Sequence, residues 1–95
     1  MHPKVFWPNN KQFAFTIFDD TDRANLKSNQ LVYQYLDKLG FKTTKSVWVT
    51  EGSPEHKDAG ITCEDKTYLN WLLELKNKGF EIGYHNTTYH SSHRE

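Results

Sequence analysis

The chain has one cysteine, Cys63, among 95 residues, so it can build no internal disulfide, no cysteine-rich zinc knuckle and no thiol redox pair. Cys63 itself reads as a small half-buried residue beside a helix start rather than a nucleophile. Excess charge of either sign is also missing. Twelve basic and twelve acidic side chains cancel, and no local basic patch stands out, which argues against nucleic acid and anionic membrane as partners. No apolar run approaches the ~20 residues a spanning helix needs. The opening Met1-His2-Pro3-Lys4-Val5-Phe6-Trp7-Pro8 has one apolar triplet between prolines and lacks the apolar region of a secretory signal. The expected location is therefore cytoplasmic, with an extracellular or cell-envelope location open if a leader is missing. Hydrophobic residues are scarce at 36%, but an aromatic share of 15% argues for a folded domain over a disordered chain.

What is present is organised around Phe13-Ala14-Phe15-Thr16-Ile17-Phe18-Asp19-Asp20, an apolar run ending in two adjacent carboxylates. Residues 1–12 read as an N-terminal arm, and residues 13–95 as the domain. The run predicts a covered strand over Phe13–Phe18, and carboxylates at the carboxyl end of such a strand project where parallel α/β proteins place their chemistry. On the segment alone, Asp20 and Asp22 read first as caps of the next helix. That helix is predicted near Ala24–Leu39, with Asp22 or Ser28 as its cap, Leu31, Val32, Tyr35, Leu36 and Leu39 on its apolar face, and Gly40 as its stop.

Ser46–Val49 predicts a second strand, and the loop from Thr50 to Gly60 is long enough to expect a functional role. Thr62 to Asp65 has capping-box spacing, with Asp65 as the alternative cap. A second helix near Asp65–Lys78 carries Tyr68, Leu69, Leu72, Leu73 and Leu75, with Trp71 beside them. Phe80–Gly83 is the third strand. The fold expectation is a parallel βαβαβ unit with both helices on one face.

Three of the five histidines, His85, His90 and His93, follow the third strand, while His2 and His56 lack such company and read as solvated. Two imidazoles from this loop and one carboxylate from the first strand would form a metal triad with open positions. The alternative is that these side chains serve as turn and cap donors among the Asn, Thr and Ser around them.

Phe18-Asp19-Asp20 after a hydrophobic strand, and Glu81-Ile82-Gly83-Tyr84-His85 leading into a His- and Ser-rich loop, resemble the first two motifs of the polysaccharide deacetylase family of NodB-like carbohydrate esterases. The resemblance runs from about Phe13 to Glu95. It implies the N-terminal portion of a distorted, incomplete (β/α) barrel that removes acetyl groups from N-acetylated polysaccharide or a related amide. It implies Asp19 as catalytic base, Asp20 and His85 as ligands of a divalent metal, zinc first with cobalt, nickel or iron as alternatives, and His90 as a third ligand with His93 in reserve. The sequence departs from the family at two points: Tyr89 stands where the second histidine is usual, and Thr21 where a glycine follows the aspartate pair. The family's later motifs do not occur, and Ser92 and Glu95 have the capping-box spacing of a further helix, so the expectation is a truncated barrel with little activity alone. Such a domain is expected to form a homo-oligomer through exposed sheet or helix surface. The alternative function is a non-catalytic interaction or carbohydrate-binding module, in which Trp48, Trp71 and Tyr84 could stack on sugar, although they read first as core aromatics.

Overall fold

The computed structural model describes residues 4–89. Three strands, β1 (Phe18–Asp19), β2 (Thr44–Trp48) and β3 (Glu81–Asn86), alternate with two helices, α1 (Leu26–Leu39) and α2 (Lys66–Asn77). All pairings are parallel and the strands lie in chain order β1-β2-β3, with Asp19 opposite Lys45 and Ser46 opposite Gly83. The predicted βαβαβ unit is thus present as an open sheet. Sequential order without reversal is the arrangement of strands in a (β/α) barrel, not of a doubly wound sheet.

Both helices cover one face. Tyr33 of α1, Val47 of β2, Tyr68, Trp71, Leu72 and Leu75 of α2, and Phe80 form one buried cluster. The Tyr33 ring meets Trp71 edge-on at 5.6 Å and Phe80 at 5.2 Å, so α1 and α2 share their packing through a single aromatic side chain. Truncating Leu72 or Leu75 in such a cluster costs about 2–5 kcal/mol.

The local chemistry of α1 differs from its sequence reading. Its cap is Asn25, whose Oδ1 accepts from Ser28 N–H at 2.9 Å, in place of Asp22 or Ser28. Arg23, at φ 59°, is in the left-handed region and breaks the helical path before Asn25, which releases Asp22 from capping. Gly40 ends the helix at φ 80°, with Gly40 N–H on Asp37 O and Phe41 N–H on Leu36 O. The buried face carries Tyr33, flanked by partly buried Leu26 and Leu36, whereas Leu31, Val32, Tyr35 and Leu39 are exposed. In α2, Asp65 is the cap, accepting from Tyr68 N–H at 2.9 Å. Tyr68, Trp71, Leu72 and Leu75 are buried there, while Leu69 and Leu73 face outward.

The first strand is also shorter than predicted. Pairing starts where Thr44 N–H donates to Ile17 O at 3.0 Å, and β1 covers only Phe18–Asp19. Phe13, Phe15 and Phe18 are exposed rather than covered. Strand propensity needs a neighbour to act on, and β2 begins at Thr44, after the turn at Gly40, so residues 13–16 have no strand to pair with among the described residues. β3, in contrast, extends past Gly83 to Asn86. Gly83 packs closely, since an added Cβ would come within 3.1 Å of Thr44 Cγ2 and 3.2 Å of the Phe18 ring and would push those side chains aside by a few tenths of an ångström.

Burial pushes the Tyr68 phenol from 10.0 up to about 12 and raises Tyr33 as well. Both phenols favour the fold in their neutral form. Their contribution is therefore intact below about pH 10 and is lost as pH rises through the folded values. Lys45 is shifted downward by burial, so its own effect runs the opposite way, and only up to the ordinary lysine value of about 10.5. Thermal melting is expected to fall steeply above about pH 10.5, and Tyr68→Phe should shift that fall to higher pH. An unchanged alkaline transition in Tyr68→Phe would remove this phenol as its cause.

Candidate metal centre

The carboxyl end of β1 turns sharply instead of continuing. Asp22 N–H donates to Asp20 Oδ1 at 3.0 Å, an Asx-type turn, and Ala24 N–H closes on Thr21 O at 3.1 Å. Residues two apart thereby come to the same side. His85, one residue before the end of β3, reaches them: its Nε2 lies 3.8 Å from Asp20 Oδ1 and 3.6 Å from Asp22 Oδ1.

The long loop between β2 and α2 braces this turn. Arg23 N–H donates to Asp58 O at 3.0 Å, Arg23 Nε–H to Lys57 O at 3.0 Å, and Ile61 N–H to Ala24 O at 2.9 Å. Gly60 makes the contact possible, since a Cβ there would sit 2.6 Å from Ala24 N. Below His85, the buried Trp48 ring meets the imidazole edge-on at 4.5 Å. Tyr89 also packs edge-on against Trp48 at 5.6 Å and donates its hydroxyl to Gly60 O at 2.8 Å. The functional expectation for this loop thus takes the form of support for the turn that carries the carboxylates.

Asp20, Asp22 and His85 each present a ligand atom, all within 4.8 Å of one another. Two carboxylate oxygens and one imidazole nitrogen suit zinc and neighbouring divalent ions. Ligands about 2.1 Å from a shared ion stand roughly 3.0–3.4 Å apart, so the two imidazole–carboxylate separations, 3.6 and 3.8 Å, need to contract by a few tenths of an ångström, and the carboxylates close in from within 4.8 Å. The donor set fits a divalent ion. Electrostatics point the same way: the Asp22 carboxyl is raised first by partial desolvation and then by the neighbouring charges of Asp20 and Asp58, with His85 acting in the opposite sense. A bound cation would offset that repulsion.

Of the residues expected from sequence, Asp20 and His85 are brought together. His90 and His93 lie outside the described residues. Asp19 stands apart from the triad: its Oδ2 accepts from Tyr33 Oη–H at 2.8 Å and lies 3.4 Å from Lys45 Nζ. Asp22 is the member that sequence reasoning missed, having been read as a cap. The signal for it was the Asp20-Thr21-Asp22 spacing, which an Asx turn folds onto one side. Trp48 and Trp71 are core aromatics, while Tyr84 is exposed. His56 is half-buried, with Nδ1 accepting from Asp58 N–H at 3.2 Å, rather than freely solvated.

Comparison of the chain with protein-family models, curated proteins and solved structures gave no match. Among the described residues no helix is long and apolar enough to cross a membrane.

Proposed function

We propose that the protein is a metal-dependent hydrolase that removes acetyl groups from an N-acetylated polysaccharide or related amide, in the manner of the polysaccharide deacetylases it resembles. The observation that carries this reading is the convergence of Asp20, Asp22 and His85 at the carboxyl edge of a parallel sheet. When bound, a divalent ion, zinc first, would polarise the amide carbonyl and make water more acidic. Asp19 takes the proton from the attacking water, while Asp20, Asp22 and His85 would hold the ion. Water adds to the carbonyl carbon, the nitrogen takes up a proton from solvent as the C–N bond breaks, and acetate and a free amine leave, after which Asp19 gives up its proton to solvent. No group assigned here among the described residues protonates the departing amine, and general acid catalysis is commonly worth about 10²–10⁴-fold, so turnover by these 95 residues is expected to be slow.

Acetate release from N-acetylglucosamine oligomers, with zinc and with chelator, tests the reading. Slow release that chelator abolishes is expected. Release insensitive to chelator, or zinc binding with no release from any acetylated sugar, would count against it. The latter would favour the alternative of an interaction or carbohydrate-binding module.

A specific observation supports self-association under either reading. Phe13, Phe15 and Phe18 on the β1 side and Leu31, Val32 and Tyr35 on α1 are all more than half exposed. With the outer edge of β1 unpaired among the described residues, this surface is costly in water. The protein is expected to be a homodimer or larger, and Tyr35→Glu with Phe15→Glu should shift it toward monomer in light scattering. A dilute, cooperatively melting monomer of the unaltered chain would contradict this.

A further inference from the structure

Lys45 is an anomaly in the middle of the sheet. It occupies β2 directly opposite Asp19 in register, and it is fully buried. Lysine is almost never fully buried unless it is paired. Its Nζ donates to Ser46 O at 2.8 Å and lies 3.4 Å from Asp19 Oδ2. Tyr33, also buried, donates its hydroxyl to that same oxygen from α1 at 2.8 Å. The Asp19 main chain is held as well, because Ser46 Oγ donates to Asp19 O. One carboxylate oxygen is therefore gripped from two elements, and the backbone behind it is gripped from a third side chain.

We propose that Lys45 and Tyr33 are positioning residues that clamp Asp19 Oδ2 and so orient Oδ1 as the atom that accepts the proton. The proposal rests on the reading of Asp19 as base. A base is effective only when its acceptor atom is held within hydrogen-bond reach of the proton it takes. A carboxylate on a two-residue strand at the sheet edge has little else to fix it. Lys45 is a poor candidate for a nucleophilic amine, because the whole side chain is enclosed. Burial lowers its pKa, and the Asp19 carboxylate opposes that shift.

The clamp has a readout in the metal-free protein. Removing one partner of a buried pair leaves the other charge uncompensated, whereas replacing the cation by an apolar side chain of similar size removes that penalty. Asp19→Asn is expected to lower the melting temperature by about 5 °C or more. Lys45→Met introduced into Asp19→Asn should restore at least half of that loss. Additive shifts in the two single and the double variants would overturn the clamp.

The second readout is turnover. Lys45→Met and Tyr33→Phe should each reduce kcat at least about tenfold in the otherwise unaltered protein, with zinc affinity unchanged and with no further reduction in the Asp19→Asn background. Lys45→Arg should recover part of the loss, since it keeps the cation. An equal drop in both backgrounds would mark a merely structural effect and overturn the proposal. The two readings separate cleanly: unchanged turnover in Asp19→Asn removes the base itself, while an inactive Asp19→Asn with no coupling to Lys45 removes only the clamp.

Discussion

Asp19→Asn is expected to depress acetate release by about 10²-fold or more while leaving zinc affinity nearly unchanged. The two effects separate because Asp19 is not among the three residues whose ligand atoms converge. Asparagine keeps the size of the side chain and an oxygen able to accept from Tyr33, so the end of β1 stays in place, but the amide cannot take a proton at neutral pH. Kinetics with and without added zinc, alongside calorimetry, read both quantities on the same preparation. Loss of zinc binding in parallel with turnover would mean that Asp19 acts through the metal. Preserved turnover would return it to the role of strand anchor.

His85→Ala should weaken zinc binding by about 100-fold or more, a larger loss than removal of an outer partner produces. His85 contributes the only nitrogen among the converging ligand atoms, and it is the member least free to move. Its side chain is 27% exposed against 67% for Asp20, and the Trp48 ring supports it from below. Trp48→Leu should therefore weaken zinc binding too, by a smaller factor, because the imidazole loses its support without losing its nitrogen. Competition with a chromogenic chelator measures both. Equal affinity in His85→Ala would remove the imidazole from the site.

Much of this architecture was legible in the residues. Alternating segments of strand and helix character, with Gly40 and Gly79 after the helices, were enough for a parallel βαβαβ unit, and Asp65 was recognisable as a cap. Asp20 and His85 were also visible as partners, a carboxylate at the end of the first strand and an imidazole at the end of the third. Less legible was anything decided by neighbours distant in sequence. Phe13-Ala14-Phe15-Thr16-Ile17 has strong strand character, but among the described residues only Ile17 meets a partner, at Thr44, so most of it stays unpaired there. The exposed apolar side of α1 and its single buried Tyr33 reflect a sheet that supplies only part of the cover the sequence pattern asks for.

Asp22 shows the same limit at the site. In sequence it is one acidic residue before a helix, and capping is the ordinary reading. Only the left-handed Arg23, held by Lys57 and Asp58 of a loop more than thirty residues away, moves the helix start to Leu26 and leaves the Asp22 carboxylate facing His85. Lys45 was likewise unremarkable as one lysine among polar neighbours, since the register that places it opposite Asp19 is a property of the sheet.

Because Asp22 owes its place to the fold rather than to a motif, it offers the most direct test of the metal centre. Zinc titrated calorimetrically into the unaltered protein and into Asp22→Asn should give one-to-one binding in the first and binding weaker by about tenfold or more in the second. No binding to the unaltered protein, or the same affinity in both, would contradict the assignment of Asp20, Asp22 and His85 as a metal site.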